Sequence, residues 1–155
     1  MHVRVLECLM CQRGFGTRKE WLSHLLETYH QSKARAQISR WGQSEKECAL
    51  IVFSSFPIAS IELLHFFSNG SMDLVTDFVW FESHPKVGVV QFESKCKLDE
   101  IFSICGAPEI RVNNQLLQVK RAGECLLLEW QALIPFQVDS ELQEDPTSEV
   151  TEDGR

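Results

Sequence analysis

Two cysteines and two histidines near the amino terminus have the order and spacing of the four ligands of one tetrahedral metal ion. Cys8 and Cys11 enclose two residues, twelve residues then precede His24, and five more separate it from His30. A tight knuckle brings two thiolates to a zinc ion from one side, and two histidines on a helix reach it from the other. The spacing therefore predicts a Zn²⁺ site in a segment that is unfolded without its metal.

The residues between the two ligand pairs favour the same interpretation. Phe15 lies four positions after Cys11 and Trp21 lies three before His24, which supplies a small apolar core. A lone Cys-x2-Cys could equally be a redox pair or half of another metal site, but the full pattern is that of a C2H2 zinc finger with a ββα fold. The gap between the histidines predicts an irregular helix end. With this gap, the predicted finger resembles those of RNA-associated and splicing proteins more than tandem DNA-reading fingers.

Composition limits the rest of the chain to one sizeable core beside this small unit. Of 155 residues, 44% are hydrophobic and 24% are charged, as in folded globular proteins. No apolar run approaches the ~18 residues of a membrane helix and the start lacks a signal peptide, so a soluble intracellular protein is expected. Two of the six cysteines would then be ligands and the other four buried thiols, without disulfides.

Charge is distributed unevenly along the chain. Residues 1–47 carry eight Lys or Arg and five Asp or Glu, whereas residues 123–155 carry one and nine. We expect residues 139–155 to be a disordered acidic tail, because they have too few apolar side chains to offset the entropy of ordering. Such a tail is usually only solvating, and otherwise it can shield a basic surface or bind a basic partner.

The segment from Arg18 to Trp41 permits helix throughout, so the finger helix is expected to continue past His30. The cations of this region are candidate contacts to the phosphates of a nucleic acid. They are Arg13, Arg18, Lys19, Lys33, Arg35 and Arg40. The positions that touch bases in a nucleic-acid-reading finger hold Thr17, Lys19, Glu20 and Ser23. The alternative is a solvated helix face without a ligand.

The sequence after the finger alternates strand and helix signals in the order β-α-β-β-α-β, which is the ferredoxin-like arrangement of an α+β protein. Strands are expected at residues 49–53, 72–81 and 87–92 and in a hairpin over 110–120 that turns at Asn113-Asn114, and helices at 61–68 and 97–104. The expected parts are a finger with an extended helix (5–41), a linker (42–47), the ferredoxin-like domain (48–122), a docked apolar segment (123–138) and the acidic tail (139–155).

The ferredoxin-like part resembles an RNA-recognition motif. Residues 51–57 look like the first signature strand of that motif, 87–92 like its third strand and 110–120 like its closing hairpin. A finger followed directly by such a domain is similar to the amino-terminal region of terminal uridylyltransferases, and residues 78–92 look like the RNA-recognition-like domain of noncanonical poly(A) polymerases. The resemblance covers about residues 5–122 and implies an RNA-targeting region.

Two departures from these families affect the expected function. Val52, Val87 and Val89 stand where aromatic side chains stack on bases in an RNA-recognition motif. An aliphatic face favours a protein contact, a homodimer seam or a cover formed by the tail segment, and an RNA surface stays open as the alternative. The Gly-Ser turn and metal-holding acidic residues of the transferases are missing, and Asp73 and Asp77 are interpreted as a solvated pair.

The sequence thus predicts a nonenzymatic, zinc-binding RNA adaptor, the targeting part of a nucleotidyltransferase-like protein without its catalytic part. A protein-interaction or dimerisation module is the second hypothesis. A DNA-binding transcription regulator is a weaker third, since DNA readers normally chain several fingers. The finger type favours the nucleus, with the mitochondrion as the alternative.

Overall fold

The computed structural model of the chain describes residues 6–68, 75–82 and 86–133. The strands are β1 (Leu6–Cys8), β2 (Arg13–Phe15), β3 (Ala49–Ser54), β4 (Val75–Phe81), β5 (Lys86–Phe92), β6 (Glu109–Val112) and β7 (Gln115–Arg121). The helices are α1 (Arg18–Leu25), α2 (Thr28–Ile38), α3 (Gln43–Lys46), α4 (Ser60–Ser68), α5 (Lys95–Ile104) and α6 (Leu127–Leu133). None of these helices is long and apolar enough to cross a membrane. The expected acidic tail and Asp73 lie outside the described residues.

Five strands form one antiparallel sheet in the order β4-β5-β3-β7-β6, so the protein is α+β. The short apolar strand β3 lies at the centre of the sheet, where nearly all its side chains are buried. Strands β6 and β7 form a hairpin whose turn holds Asn113 and Asn114 at φ of 53° and 66°. Asn tolerates this left-handed region better than most residues, which suits a tight two-residue turn. Strands β1 and β2 form a separate hairpin.

Helices cover both faces of the sheet. On one face, Leu50 and Val52 of β3 belong to a core cluster with Leu63 of α4 and Leu98 of α5. The side chains of the opposite face form a second buried cluster with residues of α2 and α6. That cluster includes Ala34, Ile38, Ile51, Val79, Phe81, Val87, Val89 and Trp130. The alternation of side chains along each strand therefore feeds two cores, one on each side of the sheet.

The three valines expected to form one exposed surface do not share a face. Val52 of β3 lies opposite Gly88 in the strand register, so its side chain points away from the face of Val87 and Val89. Val52 is 1% exposed, Val87 3% and Val89 0%. The expectation of an open valine face is not met, because α2 and α6 cover one face and α4 and α5 cover the other.

The helix expected to run unbroken from Arg18 to Trp41 is two helices, α1 and α2. Glu27 separates them with an extended backbone of φ −65° and ψ 143°. Residues six apart, such as His24 and His30, would lie about 120° apart around a straight helix. The break is therefore what allows both imidazoles to face the same point.

The expected linker contains the short helix α3, which packs against the end of the described chain. Gln43 Nε2 donates to the Gly123 carbonyl at 2.8 Å. Lys46 is buried, with its ammonium 4.9 Å from the centroid of the Trp130 ring. The segment after β7, a 3₁₀ turn (Ala122–Glu124) followed by α6, is thereby held on the sheet face and on α3.

Candidate metal centre

Short elements on both sides of the helix break bring the cysteines and histidines together. Cys8 ends β1, and Cys11 lies in the turn before β2, where Gln12 takes a left-handed conformation with φ of 57°. His24 lies in the last turn of α1, and His30 lies in the first turn of α2. A knuckle thus supplies two sulfur atoms and two helix ends supply two imidazoles.

The four side chains form one compact group that can hold a metal ion, here named the metal group. Their candidate ligand atoms all lie within 4.8 Å of one another. His30 Nδ1 is 3.6 Å from Cys8 Sγ and 3.5 Å from Cys11 Sγ. With bonds of about 2.3 Å to sulfur and about 2.0–2.1 Å to nitrogen, the S···N edge of a tetrahedral zinc site measures about 3.6 Å. These two S···N distances are therefore those expected between ligands of one metal ion.

Each histidine has a carboxylate on its outer side. His24 Nδ1 lies 3.1 Å from Glu27 Oε1, and His30 Nε2 lies 2.7 Å from Asp77 Oδ1. A ring nitrogen that donates to a carboxylate carries the proton, so the other nitrogen keeps its lone pair for a metal. The ligand atoms are then Nε2 of His24 and Nδ1 of His30. Among the described residues, the buried His24 Nε2 has no hydrogen-bond partner, as suits a metal-binding atom.

Burial favours the neutral forms of Cys11 and His24. Burial, then the hydrogen bond and the charge of neighbouring Cys8, raise the pKa of the Cys11 thiol to about 11. Burial also lowers the pKa of His24 below its ordinary value. For Glu27 burial acts to raise the pKa, but hydrogen bonds from His24 and Arg13 outweigh it and lower that pKa. A bound divalent cation has the opposite effect on a thiol and lowers its pKa, because it binds and stabilises the thiolate.

Phe15 and Trp21, the expected small core, pack beside the metal group. The ring centroids of Phe15 and His24 are 4.6 Å apart, and those of Phe15 and Trp21 are 5.8 Å apart. Trp21 also belongs to the core cluster beneath α4 and α5, and its Nε1 donates to the Val75 carbonyl at 2.8 Å. The amino-terminal unit is therefore packed on the sheet through Trp21.

Nothing in the sequence indicates that two of the residues around the metal group belong to the site. Asp77, interpreted from the sequence as one of a solvated pair, is a hydrogen-bond partner of His30. Gln31 of α2 is buried and bonds to the backbone of Phe78 and Trp80 on β4. These contacts join residues 47 or more positions apart, which no local spacing encodes.

Two of the six predicted phosphate-contacting cations serve the fold. Arg18 Nη2 donates to the Ser68 carbonyl at 3.0 Å, and Arg35 Nε donates to the Trp80 carbonyl at 2.9 Å. Each guanidinium thus satisfies a backbone acceptor of a neighbouring element. Contact with a phosphate would have to compete with these bonds.

Of the other four cations, three are exposed and Lys33 is half-buried. The Arg13 Nη1 atom is 2.8 Å from Glu27 Oε1, and the Lys33 ammonium lies 5.0 Å from the Tyr29 ring centroid. Lys19 and Arg40 are exposed. Arg13 and Lys33 both act to lower the pKa of the Cys11 thiol, so these two cations lie near the knuckle.

The four residues predicted to touch bases divide into two that cap α1 and two that line a groove. Thr17 Oγ1 accepts from the Glu20 N–H at 3.1 Å, and Glu20 Oε1 accepts from the Gly16 N–H at 3.1 Å, which satisfies free donors at the helix start. Lys19 and Ser23 line a groove of about 830 Å³ between α1 and α4. Its other lining residues are Arg18, Leu22, Leu26, Ile61, Leu64, His65 and Ser68.

The cysteines outside the metal group have varied surroundings. Cys125 is buried, Cys48 and Cys105 are half-buried and Cys96 is exposed. The expectation that all four are buried thiols is therefore wrong for Cys96, which lies on the outer side of α5.

Comparison of the chain with models of known protein families, with curated proteins and with solved structures finds no match. The class is defined by the fold and the site themselves. The chain is an α+β protein with a five-stranded antiparallel sheet and a Cys2His2 group that can hold a metal ion.

Proposed function

We propose that the amino-terminal unit is a C2H2 zinc finger, joined to a ferredoxin-like domain of the RNA-recognition-motif type. The element order β3-α4-β4-β5-α5-β7, with β3 and β5 adjacent at the centre of the sheet, supports the second part. Two thiolates and two imidazoles are a donor set that zinc prefers, which supports the first. Strand β6 is an addition at the edge beside β7.

The proposed function is that of a nonenzymatic RNA-binding adaptor in the nucleus, similar to the RNA-targeting part of a nucleotidyltransferase-like protein. Helices α2 and α6 cover the sheet face on which an RNA-recognition motif stacks bases. RNA contact at the sheet would require this cover to move. The finger helix α1 is therefore the element that we assign to RNA.

The observation that carries this proposal is that Lys19 and Ser23 are among the residues that line the groove between α1 and α4. The groove is also lined by apolar side chains, including Leu22 of α1 and Ile61 of α4, which are here called its floor. A base splayed out of a single-stranded loop can lay its face on such a floor while a lysine and a hydroxyl reach its phosphate and polar edge.

A protein-interaction module is the second candidate function, and the same apolar floor favours it. An amphipathic helix can lay its apolar face into a groove of this kind. The cations Arg18 and Lys19, which also line the groove, would favour acidic side chains beside that face. The two functions differ in salt dependence, because phosphate contacts weaken steeply with salt and an apolar contact does not.

Fluorescence anisotropy of the zinc-loaded chain with a pool of small structured RNAs, at two salt concentrations, tests the RNA proposal. We expect binding that weakens as salt rises. Lys19→Gln should weaken it and lower the salt slope by about one unit. Arg40→Gln is the matched control, an exposed cation that does not line the groove. His24→Ala should remove binding together with the finger.

Absence of binding at low salt would contradict the RNA proposal. Binding of an acidic amphipathic peptide at both salt concentrations would then support the second function, provided that Leu22→Glu abolishes this binding. Equal effects of Lys19→Gln and Arg40→Gln on RNA binding would place the contact outside the groove.

A further inference from the structure

The outer edge of strand β4 is covered by side chains of the amino-terminal unit. β4 is the first strand in the sheet order, so β5 pairs with only one of its edges. On the other edge, Trp21 Nε1 donates to the Val75 carbonyl at 2.8 Å and Arg35 Nε donates to the Trp80 carbonyl at 2.9 Å. Together with Gln31 between them, these side chains are named the edge cover.

Gln31 is the central member of the edge cover. Its Nε2 donates to the Phe78 carbonyl at 2.6 Å, and its Oε1 accepts from the Trp80 N–H at 2.8 Å. One side-chain amide thus replaces the two hydrogen bonds that a neighbouring strand would make. Gln31 is only 5% exposed, so water has little access to these bonds. An uncovered edge presents such groups to strands of other chains.

The metal group meets the same strand one residue away. His30 precedes Gln31 in the first turn of α2, and Asp77 precedes Phe78 on β4. His30 Nε2 lies 2.7 Å from Asp77 Oδ1, and the same oxygen accepts from the Phe78 N–H at 2.8 Å. Adjacent residues of α2 therefore serve the metal group and the strand edge.

We propose that metal binding holds Gln31, the central member of the edge cover, on β4, with Asp77 as the positioning residue that couples the two. This inference rests on the zinc site of the proposed function. The metal fixes the His30 ring at Nδ1 and Asp77 fixes it at Nε2, so the first turn of α2 has one position relative to β4. Gln31 reaches both of its backbone partners from that position.

The two ends of α2 are held by different forces, so the expected effect of metal removal is confined to the first turn of this helix. Ala34 and Ile38 are 1% and 0% exposed in the cluster on the sheet face, so apolar burial holds the later turns. In the first turn the side chains that meet β4 are the polar His30 and Gln31, while Tyr29 is 62% exposed. Removal of the metal should release Gln31 from the strand and leave Ile38 in place.

Hydrogen exchange at the Trp80 amide of the full chain tests the coupling. With zinc bound, we expect this amide to be protected, because it donates to a buried acceptor. A chelator should raise its exchange rate by about tenfold or more, while the amide of Ile51 in the central strand stays protected. Unchanged exchange at Trp80 would overturn the proposal. An equal increase at Ile51 would also overturn it, since the metal would then support the whole sheet.

Substitutions at Asp77 test its positioning role. Asp77→Ala should weaken zinc binding by about 10- to 100-fold and raise exchange at Trp80 even when zinc is saturating. Asp77→Asn keeps an oxygen acceptor for His30 and should restore most of both properties. Asp99→Ala, which removes a carboxylate of α5 paired with Arg121, is the control and should change neither.

Long-range ¹H–¹⁵N correlation spectra of the histidine rings give an independent readout. We expect a protonated Nε2 and a metal-bound Nδ1 at His30, and the reverse at His24. Metal bound through Nε2 of His30 would overturn the role of Asp77. If the wild-type chain does not bind zinc, the proposed zinc site itself fails. If it binds zinc and Asp77→Ala binds equally well, only the coupling fails.

Discussion

The ammonium group of Lys46 lies 4.9 Å from the centroid of the Trp130 ring, and both residues are buried. Lys46 is 7% exposed and Trp130 1%. Trp41 stacks on the same indole, with ring centroids 6.0 Å apart and an interplanar angle of 22°. Helix α6 is therefore anchored over the sheet by one tryptophan that contacts both a cation and a second indole.

Trp130→Ala should destabilise the fold strongly. Truncation of a buried tryptophan costs about 3–5 kcal/mol, because apolar burial is lost and a cavity is left. Urea denaturation measures the change in the free energy of unfolding. Leu128→Ala in the same helix is the matched control, since Leu128 is 80% exposed, and it should change stability by less than about 0.5 kcal/mol. Equal effects of the two substitutions would show that α6 is not anchored through Trp130.

Gly123→Ala should destabilise the contact between α3 and the segment that follows β7. A Cβ at Gly123 would lie 2.9 Å from Glu47 Cα, and a backbone atom cannot move aside as a side chain does. Overpacking of this kind costs about 1–3 kcal/mol. Gly14→Ala is the control, since its Cβ would meet nothing closer than 3.8 Å. Thermal unfolding should therefore shift for Gly123→Ala far more than for Gly14→Ala.

The four candidate metal ligands are the part of the site that the sequence reveals best. Metal ligation ties residue type to position, so the spacing of Cys8, Cys11, His24 and His30 identified a group that the fold brings together. The hairpin turn at Asn113-Asn114 is equally local, because two residues with left-handed backbones suffice to define it. Both features depend on chemistry within short stretches of chain.

The rest of the site depends on contacts between distant segments. Gly88 of β5 opposes Val52, so the three valines divide between two faces, and a register of this kind is fixed only when the sheet assembles. Asp77 meets His30 across 47 positions, and nothing near either residue signals the contact. The cover of the sheet by α2 and α6 is likewise determined by tertiary packing. Periodicity shows that a segment has an apolar side and cannot show which surface it meets.

Zinc affinity should rise with pH, because binding releases thiol protons. Burial, with the hydrogen bond and charge of Cys8, raises the pKa of the Cys11 thiol to about 11, so without metal this group carries its proton at neutral pH. A thiolate ligand must give that proton up, and each proton released makes the association constant rise about tenfold per pH unit. The pKa of His24 is lowered by burial, so protonation of its imidazole competes with zinc only at more acidic pH.

Competition with a chelator of known affinity, at about pH 6.5 and about pH 7.5, measures this slope. Calorimetry in buffers of different ionisation enthalpy counts the same protons independently. Cys48→Ser is the matched control, because burial also raises the pKa of Cys48 but its sulfur lies outside the metal group, so the slope should not change. An affinity that is independent of pH would mean that Cys11 does not bind zinc as a thiolate, and the four-ligand site would then be incorrect.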